Sequence, residues 1–344
     1  MKLIISHFFN EEYLLPWWLK HHRGIFDHGI LIDYHSTDRS VEICRELVPG
    51  WEIVTSENQQ FAALKCDFEV MKHETRYPDA WKIALNTTEF LAGNTLGSVI
   101  DAADREEHLG IYIPGTAMVD DQPQVAPDPA KPLIAQKYHG FWESEFPVAE
   151  VQFPWFFPRA RTRLLHRHAF GAYTPGRHSS MLPGLVEVPN TELGIWWYGY
   201  SPWTEEFVAR KAQIQTKMDP LDKKAGFGMQ HLASYAEQQA RHAALLPFAR
   251  DLDPSFALAL SAAGAVNGQV PPGLFTPRVQ PDVTSLQRDA AIAQRDAAIA
   301  QRDAAIAERH VALRERRHAQ KYPWHYFGTS FQMHWEQLMS KRKP

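Results

Sequence analysis

Residues 7–43 read HFFNEEYLLPWWLKHHRGIFDHGILIDYHSTDRSVEI. An apolar run, residues 2–6 (KLIIS), leads into this stretch and has the length of a short buried strand. Residues 11–22 then carry a helical pattern, with Asn10 placed to cap it and Glu11 and Glu12 near its positive end. Residues 29–33 (GILID) form a second strand, and Ser36, Thr37 and Asp38 open a second helix that runs to about Leu47. The alternation continues outward: a strand at 51–55 (WEIVT), a helix over 58–76 and a strand at 81–85 (WKIAL). Strands separated by helices predict right-handed crossovers and a mainly parallel sheet flanked by helices, an α/β fold. In such sheets ligands sit beyond the carboxyl ends of the strands, which directs attention to Asp33, residues 56–57 and residues 86–89.

The 344 residues are 44% hydrophobic and 22% charged, which excludes a disordered chain or a collagen. A net charge of −4 supplies no basic field for nucleic acid. Two cysteines, Cys44 and Cys66, exclude a disulfide framework and a four-thiolate zinc site. The first residues lack the apolar core of a leader, and no apolar run reaches about 18 residues, so no transmembrane segment is expected and the expected location is cytoplasmic.

The organisation expected is a main domain over residues 1–250, a Pro/Gly-rich linker over 251–283, a heptad helix over 284–320 and an aromatic, basic tail over 321–344. QRDAAIA occurs three times in succession from Gln287, and Ile292, Ile299, Ile306 and Leu313 keep one stripe at heptad spacing. That period suits a coiled coil and a homo-oligomer, or an alanine-rich solvated helix. Residues 204–217 and 230–246 read as helices, the first capped by Thr204.

With Asn10-Glu11-Glu12, then Asp33-x-x-Ser36-x-Asp38, then the segment WKIALNTTEFL (81–91), the sequence resembles the family-2 glycosyltransferases of the GT-A fold. Further resemblance lies in RTRLLHRHAFGAYTPGRHSS (161–180), YSPWTEEFVARK (200–211) and GFGMQH (226–231). The resemblance covers residues 1–250. It implies transfer of a sugar from a UDP- or GDP-sugar to a glycan acceptor in a bacterial surface-polysaccharide setting, with inversion at the anomeric carbon. It places Asn10, Glu11, Asp33, Asp38, Asn86, Thr88, Glu89, Arg177, His178, Arg210, Lys211 and His231 at the donor. Candidate general bases are Glu150, Asp121 and Glu187.

The family's D-x-D motif, which holds a divalent ion, is replaced by Asn86-Thr87-Thr88. Magnesium and manganese want hard, preferably anionic oxygens, so an amide and a hydroxyl are poor replacements. Three readings stay open. Cations such as Arg177, Arg210, Lys211 and Lys217 neutralise the phosphates; or Glu89, Asp120, Asp121 or His178 helps to hold an ion; or the domain is a degenerate binding protein that oligomerises through its heptad helix. His166 and His168, two apart, form a weaker metal-hydrolase alternative with His178. In residues 196–203 (WWYGYSPW) one aromatic ring could stack on a sugar, although core packing explains such a run equally. Tyr198 stands where related sequences lead us to expect a histidine.

Overall fold

Leu3, Ile4 and Ile5 are consecutive, and all three are fully buried. A strand buried on both faces belongs at the centre of a parallel sheet, and β1 (Lys2–Phe8) sits there, between β2 (His28–Asp33) and the later β4 (Trp81–Ala84), with β3 (Glu52–Thr55) outside β2. All these pairings are parallel. The connections are α1 (Leu15–His22), α2 (Ser40–Leu47) and α3 (Ala63–Glu74). Alternation along the strands divides the apolar side chains. Ile4, Phe8, Leu31 and Ile83 join the core with α1 and α2, whereas Leu3, Ile5, Ile30 and Ile32 join Val70 of α3 in the other.

In the computed structural model, the residues described are 1–278 except 94–95, 149–150, 152, 154, 158, 226–228 and 263–272. The chain continues through β5 (Glu89–Gly93), α4 (Leu96–Arg105), β6 (Gly110–Ile113), β7 (Gly115–Val119), β8 (His139–Trp142), β9 (Arg163–His166), β10 (Val186–Glu187) and β11 (Leu193–Tyr200). It then forms α5 (Glu205–Ala212), α6 (Pro220–Ala225), α7 (Tyr235–Leu245), β12 (Arg250–Asp251), α8 (Pro254–Ala262) and β13 (Thr276–Pro277). Among the described residues the main sheet has the order β13-β10-β6-β9-β4-β1-β2-β3, with β9 antiparallel to both neighbours, and a smaller sheet has the order β12-β8-β7-β11-β5. The mainly parallel sheet flanked by helices is the architecture expected.

Several boundaries differ from expectation for physical reasons. Helix α1 begins at Leu15, not at residue 11, and Asn10 does not cap it. Asn10 has φ 51°, and its Oδ1 accepts the Thr37 N–H at 2.8 Å across the neighbouring loop. The Glu11 N–H is donated to Ser40 Oγ at 2.8 Å and the Glu12 N–H to Asp38 Oδ2 at 3.0 Å. The loops after β1 and β2 thus satisfy each other's polar groups, a task usually left to a local cap. Thr204 does cap α5, accepting the Phe207 N–H at 3.2 Å. Within the stretch expected as a linker, α8 buries Ala257 and Leu260, so the apolar core draws on residues past 250. The heptad repeat at 284–320 and the tail at 321–344 lie outside the described residues. Among the described residues no helix is long and apolar enough to cross a membrane.

The pair His21-His22 ties α1 to β5. His21 Nε2 donates to the Leu91 carbonyl at 2.7 Å. His22 donates from Nδ1 to the Trp18 carbonyl at 2.9 Å and accepts the Leu91 N–H on Nε2 at 3.1 Å. Only a neutral imidazole can do the latter. Burial lowers both side chains, His21 to about 4 and His22 well below its ordinary value. This stitch fixes the strand that begins at Glu89.

Candidate functional site

At the carboxyl end of β2, Asp33 is 8% exposed. One carboxylate oxygen accepts the Ser36 N–H at 2.9 Å, while the other has no partner among the described residues. Asp38 spends both oxygens on backbone, on Glu12 N–H and on Ser40 N–H at 3.0 Å each. Asn10 and Asp38 are therefore scaffold for this loop pair, whereas Asp33 keeps one carboxylate oxygen unengaged among the described residues. Beside it, Lys217 donates to the Tyr34 carbonyl at 2.6 Å, and its ammonium lies 4.0 Å from the centroid of the Phe9 ring. No carboxylate pairs with Lys217 among the described residues. Burial lowers its pKa, and Asp33 opposes that shift.

At the carboxyl end of β4 the chain turns through Asn86-Thr87-Thr88 into Glu89. Glu89 is fully buried. Arg163 of β9 grips it with a fork, Nε donating at 2.9 Å and Nη2 closing the second bond. Asn86 donates to the same carboxylate from its backbone N–H at 2.8 Å and its side-chain amide at 3.1 Å. The Asn86 carbonyl oxygen accepts from Arg177 Nη2 at 2.8 Å. Arg177 also donates to Asp67 of α3 at 2.7 Å, and Gly176 N–H reaches the other Asp67 oxygen at 2.8 Å. Gly176 and Arg177 both have positive φ, 80° and 59°, and a left-handed arginine is uncommon enough to indicate a backbone held in place. His178 donates from Nδ1 to the Ala160 carbonyl beside Arg163. Burial, then Arg163, depresses His178 to about 3. Asn86 thus joins Arg177 to Glu89, and His178 lies beside Arg163, the other partner of Glu89.

The third side comes from α5. Arg210 pairs with Glu11, which is half-buried and whose other oxygen is buried without a hydrogen-bond partner. Lys211 donates to the Gly199 carbonyl at 2.6 Å, and its ammonium lies 4.2 Å from the Tyr200 ring and 5.6 Å from the Trp203 ring. No carboxylate pairs with it among the described residues. Burial, then Arg210 and Arg241, holds its pKa well below the usual lysine value. His231 sits edge-on to Phe61, which in turn packs against Tyr34. Burial, then Lys211 and Arg210, lowers His231 to about 4. A continuous rim therefore runs from Asp33 through Tyr34, Phe61 and His231 to the Arg210–Glu11 pair.

Helix α3 carries three buried acids, two near this end of the sheet and the third, Glu74, near the amino end of β4. Besides Asp67, Glu69 accepts from Ser56 Oγ at 2.7 Å, Glu57 N–H at 2.7 Å and Asn58 Nδ2 at 3.0 Å, and it pairs with His7 at 3.1 Å. Burial alone would raise Glu69, but these bonds outweigh it and bring the carboxyl down to about 2. Glu74 accepts from Tyr173 at 2.6 Å and Gly171 N–H at 2.7 Å and lies 3.1 Å from His166 Nε2. These acids and Arg163 carry no sequence signal of their own, because a charged residue on a helix is ordinarily solvated and a single arginine names no partner.

Other expected residues fall elsewhere. Both oxygens of Asp120 are engaged: they accept from Lys137 at 2.8 Å, Gln122 N–H at 3.0 Å and Trp203 N–H at 2.7 Å. Asp121, next to it, is exposed. Glu187 sits on β10 facing Arg278 at 4.0 Å, three strands from β4 and so about 14 Å away at ordinary strand spacing. Glu150 lies outside the described residues. His166 is committed to Glu74, away from His178. In residues 196–200, Trp196 and Tyr198 are core, and Tyr198 donates to the Lys137 carbonyl at 2.8 Å. Trp197 stacks on Arg161 and folds over Gly199, where a Cβ would strike the indole.

The donor set does not suit the divalent ion that a D-x-D motif holds. The Asn86 oxygen is engaged by a guanidinium, both Glu89 oxygens are taken by Arg163 and Asn86, and His178 is bonded to a carbonyl. Among the described residues no three His, Cys, Asp or Glu side chains are grouped to hold a metal ion.

No family model and no curated protein matches this chain. Solved structures similar to it in outline include S. aureus TarS residues 1–349, at 12% identity and TM-score 0.34, covering 70% of this chain and 72% of that one. The same fragment in complex with UDP gives 12% and 0.33, over 65% of this chain and 69% of that one. A longer TarS structure gives 12% and 0.32, over 65% and 42%. Likeness this distant says nothing of function.

Proposed function

We propose that the chain transfers a hexosyl group from a nucleoside-diphosphate sugar, UDP- or GDP-linked, to a glycan hydroxyl with inversion. The observation that carries this reading is a pair of lysines, Lys211 and Lys217, with no carboxylate partner among the described residues, on the same rim as the unpartnered oxygen of Asp33. A half-buried ammonium with no anion beside it is satisfied by an anionic ligand. A carboxylate oxygen beside it accepts from a ribose or base. A diphosphate with a nucleoside attached meets both needs.

In the reaction, the acceptor hydroxyl gives its proton to a carboxylate and its oxygen attacks the anomeric carbon. The bond from that carbon to the phosphate oxygen breaks, and the nucleoside diphosphate leaves with the electron pair. The lysines lower the energy of the charge that develops there. Of the expected bases, Asp121 is exposed next to the clamped Asp120, and we favour it over Glu187, which faces Arg278. Loss of the D-x-D carboxylates is what favours the second reading, a domain that binds donor without turnover. Calorimetric titration with UDP, GDP and their sugars tests the proposal. Binding followed by release of nucleoside diphosphate in the presence of glycan supports transfer, binding without turnover supports the second reading, and no binding overturns both.

A further inference from the structure

We infer that this site takes its donor without a divalent metal, with Arg177 as the fixed group that orients the diphosphate. The inference rests on the transferase reading above. The turn after β4 is occupied by a closed chain of partners, Asp67–Arg177–Asn86–Glu89–Arg163. Each link is oriented from both sides. The Asn86 amide gives its nitrogen to Glu89 at 3.1 Å and its oxygen to Arg177 at 2.8 Å, so its orientation is set. Glu89, the one carboxylate left in the segment, is neutralised by a forked arginine. An ion entering here would have to displace a guanidinium and then lie beside it.

Arg177 is suited to the alternative role. It is 7% exposed, held by Asp67 at one end nitrogen and by Asn86 at the other, and its buried Nε–H has no partner. The positive φ of Gly176 and Arg177 delivers the side chain back onto the end of β4. A planar guanidinium matches phosphate oxygens by geometry, which a lysine cannot reproduce. Because Asp67 balances its charge, Arg177 orients the ligand, and the unbalanced charge comes from Lys211 and Lys217.

The experiment is calorimetric titration of the full-length protein with UDP, GDP and their sugars, in EDTA and in millimolar manganese. It compares wild type, Arg177→Lys, and the double variant Arg177→Met/Asp67→Asn, which avoids stranding a buried carboxylate; thermal melts confirm that each is folded. The expected result is donor affinity that agrees within about twofold between EDTA and manganese and falls at least tenfold in both variants. Binding that appears only with manganese overturns the inference and leaves the transferase reading intact. EDTA-insensitive binding unchanged in the folded double variant overturns the role of Arg177. No binding in either medium overturns the transferase reading and this inference with it.

Discussion

Lys217 reaches back 183 residues along the chain to donate to the carbonyl of Tyr34, one position beyond Asp33. The loop that follows α5 is thereby pinned to the end of β2. A charge-assisted bond to a phosphate oxygen is worth roughly 1.5–3 kcal/mol, and about 1.4 kcal/mol is tenfold in affinity. Lys217→Ala is expected to weaken UDP- or GDP-sugar binding by about tenfold or more, with a shallower salt dependence, in titrations at two ionic strengths. Unchanged affinity would place the diphosphate elsewhere.

Lys211 carries a second expectation, in protons. Burial, then Arg210 and Arg241, holds its pKa well below the ordinary lysine value, which disfavours the ammonium in the free protein. An arriving diphosphate favours the ammonium, so binding takes up a proton, and affinity rises as pH falls through the depressed value. Titrations in two buffers of different ionisation enthalpy measure that uptake. Lys211→Met should remove the uptake and flatten the pH dependence.

Acid should loosen the junction of α1 with β5. His21 and His22 are depressed by burial, His21 to about 4, against an unfolded value near 6.5. With folded values below unfolded ones, the unfolded chain binds protons first. Their contribution is complete above about pH 6.5 and is lost as pH falls towards about 4. Urea melts at pH 7.5, 6 and 5 should show stability declining across that window, and His22→Gln should reduce the slope while lowering stability at pH 7.5.

Asp120 and Lys137 make a buried ion pair at 2.8 Å, 1% and 5% exposed. Removing one partner of such a pair strands the other, at a cost of about 3–5 kcal/mol. Asp120→Ala should lower the melting temperature markedly, and the folded fraction should bind donor with its metal response unchanged. A specific change in metal response would reinstate Asp120 as a ligand.

The strand cores of β1, β2 and β4 were legible because runs such as KLIIS and GILID have one physical explanation, burial on both faces. That Asn86 follows a strand and Arg177 a turn glycine was legible, but that the two side chains meet was not, because it depends on the loop that returns residues 176–177 to the end of β4. Asn10 was read as a local cap, yet it serves backbone in the neighbouring loop, and Asp38 divides its oxygens between its own loop and the neighbouring one: the chemistry is local in type, and part of the partnership is set by tertiary approach. The partner of Asp120 was not legible, since Lys137 lies 17 residues away in a proline-rich loop with no periodicity to pair them. The acids of α3 were hidden most completely. Asp67, Glu69 and Glu74 look like ordinary solvated charges on a helix, and only the loops folded around them show otherwise.

Those three acids have a consequence for how the gene can drift. Each residue of a helix advances the side chain by about 100°, and Asp67, Glu69 and Glu74 hold three separate segments: the Gly176–Arg177 turn, the start of the β3–α3 connection, and the stretch around Gly171. A codon gained or lost between positions 67 and 74 would swing the later anchors out of phase with the earlier one and release a segment outright. Exposed substitutions such as those at Phe68 leave the phase intact. Length, more than composition, is what this helix has to keep.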